Sequence, residues 1–262
     1  MKITRIIYLI GVPTLVFLSG CGSPDNLIKK FTPPEDEAIA TNYIALLRQK
    51  QFEQIEKDLD PSLKSALAQD TLEKMAEAIP TQAPISVKVV GAYSARGTDV
   101  YKINLTFEYQ FPTNWLLINV ATQKKDGVLT IIGFNVYPLS DSLENLNKFT
   151  LVGKNPLQYA TLALAILIPL FTLYALVLCI RTKMEKRKWL WIIFILIGIG
   201  KFTVNWTTGQ CNFASLSFQL FGAASFAPPY GAWLISISLP VGAILFLIRQ
   251  KILVATVEST SN

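Results

Sequence analysis

Hydrophobic and polar positions change period several times along this chain. From Glu35 to Leu59 the apolar residues Ala38, Tyr43, Leu46, Leu47 and Ile55 recur near every third or fourth position, the spacing of one helix face. Lys50-Gln51 divides that run into two helices. Asp60-Pro61-Ser62 marks a turn, and short helices are predicted over 63–68 and 71–78. The second of these has Asp70 as its cap and Glu73 at the capping-box position, and Pro80 ends it. The period then falls to two. Residues 85–93 predict one strand, and 100–111 a second in which Tyr101, Ile103, Leu105, Phe107 and Tyr109 point one way. Lys102, Asn104, Thr106 and Glu108 point the other way. Strands over 115–123 and 128–138 follow, joined by an Asp126-Gly127 hairpin turn. Helices followed by an antiparallel meander predict an α+β domain over 35–145.

The pattern changes again at Pro156. Residues 156–180 hold no charge, more than the roughly 20 apolar residues a helix needs to cross a bilayer. Two further stretches, 189–206 and 230–248, are read as spans as well, giving a membrane region of three transmembrane helices. The loop 181–188 carries five positive charges and one negative, and Arg249 and Lys251 follow the last span. Positive loops stay in the cytoplasm, so 181–188 and the tail 249–262 lie inside and the α+β domain outside. Between the second and third spans, 207–229 is apolar for a loop. Phe213, Leu216 and Leu220 recur there at helical spacing and predict an interfacial helix ended by Pro228-Pro229. Such a helix is a docking surface, a re-entrant element or a plain connector on the membrane. Lys201 has two readings: an ionisable group within a span is a functional candidate, and near Trp206 it also reads as a side chain snorkelling to the surface.

The first residues add a targeting reading. Lys2 and Arg5 precede an apolar run from Ile6 to Leu18, the layout of a secretory signal over 1–20. The run closes with Leu18-Ser19-Gly20-Cys21, which resembles the bacterial lipobox. That resemblance implies a lipid on the Cys21 sulfur and cleavage before it. A polar tether, 21–34, then leads to the folded domain. The predicted location is the bacterial cytoplasmic membrane, anchored by lipid and spans.

Composition removes several functions. The net charge is +6, but residues 22–155 carry 14 basic and 16 acidic side chains. The basicity therefore belongs to the membrane half, and no basic face for nucleic acid is visible. The chain has no histidine, which removes His-dependent catalysis, metal ligation and proton transfer. The three cysteines form no Cys-x-x-Cys pair. No metal and no cofactor is expected.

"ATNYIALLRQKQFEQIEKDLDPSLKSAL", residues 40–67, followed by a helix and four strands, resembles the NTF2-like, cystatin-like superfamily. The resemblance covers about 105 residues. It implies a bent sheet wrapped on a long helix around a cone-shaped cavity, and members include enzymes, ligand binders and assembly modules. An enzyme on this plan would use cavity carboxylate and tyrosine side chains: Asp60, Glu108, Tyr101 and Tyr109. Alternation places Glu108 away from the two tyrosines, so the aromatic stripe reads more simply as core. The expected function is a non-catalytic module at the outer face of the membrane, with the bilayer, an envelope protein or a second copy as partners. A carboxylate–tyrosine enzyme and a subunit of a transport complex are the rivals.

Overall fold

The computed structural model describes residues 23–64, 66–67, 69–182 and 188–260; the export segment and Cys21 lie outside the described residues. The chain is α+β with two antiparallel four-stranded sheets, divided into a first unit ending at Leu143 and a second beginning at Glu144.

The first unit opens with α1 (Pro24–Lys30), α2 (Pro34–Arg48), α3 (Phe52–Lys57) and α4 (Gln69–Glu77). Lys50 adopts φ 56° between α2 and α3, which is where the predicted helix divides. Four strands follow: β1 (Ser86–Arg96), β2 (Val100–Gln110), β3 (Trp115–Lys125) and β4 (Val128–Leu139), paired in chain order. Asp126 (φ 50°) and Gly127 (φ 81°) join β3 to β4, both in the left-handed region that a two-residue hairpin turn requires. Leu105, Phe107 and Tyr109 of β2 lie opposite Val120, Ile118 and Leu116 of β3. These side chains form one core with Ile44 and Leu47 of α2, Ile55 of α3 and Leu72 of α4. In β4 a bulge opposite Ala121 and Thr122 lets Ile131 and Phe134, three residues apart, both face that core.

This packing corrects the NTF2-like expectation. Leu47, Ile55, Leu72, Leu105, Leu116, Ile118 and Ile131 are all fully buried between helices and sheet. These side chains pack into one core between helices and sheet, and the NTF2-like fold is not shown.

The second unit corrects the three-helix membrane region. A one-turn helix, α5 (Leu143–Leu146), lies at the junction. Among the described residues one helix is long and apolar enough to cross a membrane: α6 (Pro156–Arg181), 26 residues with an 18-residue stretch of mean hydropathy 2.6. At 1.5 Å per residue it is about 39 Å long. Asn155 and Gln158 cap it reciprocally, and Pro169 lies inside it. The other two expected spans are each half helix and half strand. The first is α7 (Lys188–Leu196) running into β5 (Ile197–Asn205); the second is β8 (Leu234–Leu239) running into α8 (Val241–Thr260). Gly198, Gly200, Thr203 and Val204 are poor helix formers, and Leu-Ile-Ser-Ile-Ser-Leu in β8 alternates with a strand's period. The 207–229 stretch is no interfacial helix: it forms β6 (Cys211–Leu220) and β7 (Ala223–Phe226).

The sheet order is β6-β5-β8-β7. The helical end of the unit is held by Ala175 and Cys179 of α6, Ile195 of α7, and Ala243 and Phe246 of α8. At Gly242 a Cβ would stand 1.9 Å from the Phe194 carbonyl oxygen, so α7 and α8 meet at the closeness only glycine allows.

Candidate functional site

The register of the second sheet sorts its side chains onto two faces. Val204 lies opposite Cys211 and Ile235, Phe202 opposite Phe213 and Ile237, and Ile199 opposite Phe218 and Leu239. Residues directly opposite share a face, so this face is apolar throughout. Thr203 lies opposite Asn212 and Ser236, Lys201 opposite Ala214, and Gly198 opposite Gln219. That second face is polar. The helix α6 packs on β7 and β8, with Leu162, Ala165 and Pro169 meeting Ala223 and Ile235 around an apolar cavity of about 440 Å³.

A second cavity, about 460 Å³, opens on the polar face. Lys201, Thr203 and Asn205 of β5 line it, with Gln210 from the turn and Asn212 from β6. The turn is tightly built. Asn205 N donates to Gln210 O (2.8 Å), and Gly209 N donates to Asn205 O (2.8 Å). The Asn205 Oδ1 accepts from the amides of Thr207 (2.9 Å) and Thr208 (3.0 Å). With its oxygen occupied, the Asn205 side chain offers its Nδ2 donors. The Thr203 hydroxyl and the Gln210 and Asn212 carboxamides add further donors. Lys201 makes no ion pair or hydrogen bond among the described residues. From residue 202 to residue 248 the sequence has no charged side chain, so Lys201 is the single charge within this sheet. Beyond the cavity the polar face continues: Gln219 Nε2 donates to Ser236 Oγ (2.9 Å), which donates to Ala224 O (3.2 Å). The Gln219 Oε1 and Ser238 Oγ are buried without partners. Cys211, Ala214 and Leu234 complete the lining, and the polar side of the site is donor-rich and cationic, suited to hold an anionic group.

At one end of the sheet lies an aromatic cluster. Phe149 stacks on Trp206 (5.1 Å, 15°) and meets Trp233 edge-on (5.9 Å). Trp206 Nε1 donates to Thr150 O (2.8 Å), Gln158 Nε2 donates to Trp206 O (2.6 Å), and the Lys154 ammonium lies 5.8 Å from the Trp206 ring. These contacts tie the end of β5 to the start of α6.

The residues expected in an enzymatic cavity do not converge. Tyr101 and Tyr109 share a face but are eight residues apart on β2, about 26 Å along the strand. The Tyr101 hydroxyl donates to Asp36 Oδ2 (2.9 Å), and the Arg96 guanidinium lies 5.0 Å from its ring. Burial first, then that hydrogen bond, raises the Tyr101 pKa. Tyr109 is buried in the core against Phe107 and Phe111, and burial raises its pKa too. Glu108 faces the other way. It is 3% exposed, and its Oε2 accepts from the Leu143 amide at 2.5 Å, fixing the start of α5. Asp60 is half-buried and accepts from the Ser62 amide and hydroxyl, which lower its pKa. Phe213 and Leu220 lie on the apolar face of β6, and Leu216 in a bulge between them, 95% exposed.

Lys201 is the one sequence-selected residue in the polar cavity. Thr203, Asn205, Gln210, Asn212, Gln219 and Ser236 escaped because overall hydropathy hides them. The alternation in Phe-Thr-Val-Asn and Ile-Ser-Ile-Ser was the signal that could have found them. Comparison with protein-family models and with curated proteins finds no match for this chain.

Proposed function

We propose that this chain is a membrane-bound, non-catalytic binding protein of the bacterial envelope, and that the polar face of its second sheet holds a small anionic ligand beside Lys201. The observation that carries the ligand reading is an ammonium without a partner among the described residues, in a cavity of about 460 Å³ whose polar side is rich in donors, within a sheet that has no other charge. An anion there gains a charge-assisted bond from Lys201 and neutral bonds from Thr203, Asn205 and Asn212.

The membrane reading rests on α6. Its Ile166, Leu167, Leu170 and Tyr174 are each nearly 60% exposed, an apolar surface that water does not favour. Basic residues Arg181 and Lys188 lie at one end of the unit's helices and the Trp206–Trp233 cluster at the other, as cytoplasmic and outer interfaces require. The lipobox-like Leu18-Ser19-Gly20-Cys21 supports the same side for the N-terminal unit.

Thermal unfolding of the full chain in mild detergent, with inorganic phosphate against chloride at matched ionic strength, tests the ligand reading. Phosphate should raise the Tm of the wild type, by mass action on the folded state, and leave Lys201→Gln unmoved. A wild type indifferent to phosphate, or a variant equally protected, refutes it. Retention in membranes after an alkaline carbonate wash tests the anchoring separately; release into the supernatant refutes that half alone.

A further inference from the structure

Strand β6 is an edge of the second sheet, and apart from a bulge at its middle it carries neither of the side-chain guards of an edge, charge or proline. Between Cys211 and Leu220 there is no charge and no proline. Edge strands that remain single carry such residues, because their free N–H and C=O groups otherwise template pairing. The apolar face also stays uncovered at this end. Phe213 is 68% exposed, Phe218 74% and Leu220 67%, while α6 packs on β7 and β8.

The register supplies the partner. Ser215, Leu216 and Ser217 bulge opposite Gly200, so Ala214 lies across from Lys201 and Phe218 from Ile199. Strand β5 carries one extra residue against β8, since Ile199 faces Leu239 and Phe202 faces Ile237. As a result Phe213 and Phe218 share the apolar face although their spacing is odd. Asn212 and Gln219 share the polar one. Around the bulge the strand is then nearly palindromic in chemistry: Asn-Phe-Ala-Ser is followed by Leu-Ser-Phe-Gln. An antiparallel copy of the same strand, related by a twofold axis through the bulge and perpendicular to the sheet, sets Phe213 opposite Phe218, Asn212 opposite Gln219, and Cys211 opposite Leu220. Each pair lies on one face, as an antiparallel ladder requires.

We infer that two copies of this chain pair through β6, Phe213 of one against Phe218 of the other, to form one continuous eight-stranded sheet. The aromatic pairs then cover each other on the apolar face, and the carboxamides bond across the polar one. The two Lys201 cavities come to lie on the same face of the joined sheet. The inference rests on the sheet edge and is independent of the ligand proposed for that cavity.

Disulfide cross-linking of the full chain in membranes tests it. Opposed strand residues are about 4.5–5.5 Å apart at Cα, within the reach of a disulfide. In a Cys211→Ser background, Phe213→Cys combined with Phe218→Cys should be trapped as a covalent dimer by mild oxidant. Each single variant should stay monomeric, because in this register neither residue faces itself. Ala214→Lys adds a charge to the same edge, and light scattering in detergent should show it monomeric where the wild type is dimeric. The thermal melt of each variant, compared with wild type, identifies any that fail to fold. A folded double variant that is not cross-linked, a single variant that cross-links to itself, or an Ala214→Lys protein still dimeric overturns the inference.

Discussion

Gly209 ties the proposed anion site to the start of α6, and its replacement by alanine tests that link. Its φ of 74° lies in the left-handed region, where a side chain costs about 1–2 kcal/mol. A Cβ there would also stand 2.7 Å from Asn155 Nδ2. Asn155 has no freedom to yield: its Oδ1 accepts from Gln158 N (2.8 Å), and Gln158 Oε1 accepts from Asn155 N (2.9 Å). Pushing it away removes a helix cap worth about 0.5–2 kcal/mol. Gly209→Ala should therefore cost roughly 1.5–4 kcal/mol, the sum of strain and lost cap. Thermal or denaturant unfolding of the full chain in detergent measures it. The decisive test is a double-mutant cycle. Asn155→Ala alone loses only the cap, and with the amide gone the alanine at 209 meets only the Gln158 carboxamide, at an ordinary 3.7 Å. The double variant should be more stable than the two single costs predict, by at least about 0.5 kcal/mol. Additive costs would show that Gly209 and the cap are not in contact and would refute the reasoning.

Two further outcomes concern the first unit. Glu108→Ala leaves the Leu143 amide unpaired and should cost about 1–3 kcal/mol, with faster hydrogen exchange over residues 140–147; a variant as stable as wild type would reopen a functional role for the carboxylate. Tyr43, Tyr101 and Tyr109 all have pKa values raised above 10.0, Tyr43 by burial and then by its hydrogen bond to Asp58 (2.8 Å). Below pH 10 both states keep these protons and stability is unaffected. Above it the unfolded chain ionises first, so stability should fall by up to about 1.4 kcal/mol per pH unit for each tyrosine. Tyr43→Phe should flatten the alkaline slope of an unfolding titration, and an unchanged slope would count against the buried Tyr43–Asp58 pair.

Much of the first unit was legible because local chemistry and burial agree there. In β2 every second residue from Ile103 to Tyr109 is buried, and Asp126-Gly127 occupies the hairpin turn. The helix break near Lys50 likewise falls where a residue of left-handed φ interrupts the backbone. What the pattern did not contain was the packing between helices and sheet. Alternation says that Leu105, Leu116 and Ile118 face inward; it does not say whether they close the interior or line a cavity.

The second unit was misread for a definite physical reason. A hydropathy window averages over position, and Ile197–Asn205 and Leu234–Leu239 are apolar on average while their polar residues fall on alternate positions. The mean suggests a span; the period says strand. The same averaging hid the site, since Thr203, Asn205, Asn212 and Ser236 look like stray polar residues in a greasy run until the ladder sets them side by side. Lys201 was conspicuous only through its charge. Its position on β5, within the polar cavity rather than at the end of a helix, changes its role from an anchor that snorkels to water into the one charge among a row of hydrogen-bonding side chains. A sheet with an apolar face against α6 and a polar face around a cation keeps the proposed attachment apart from the proposed recognition, so on that reading variants at Lys201 should alter anion binding without releasing the chain from membranes.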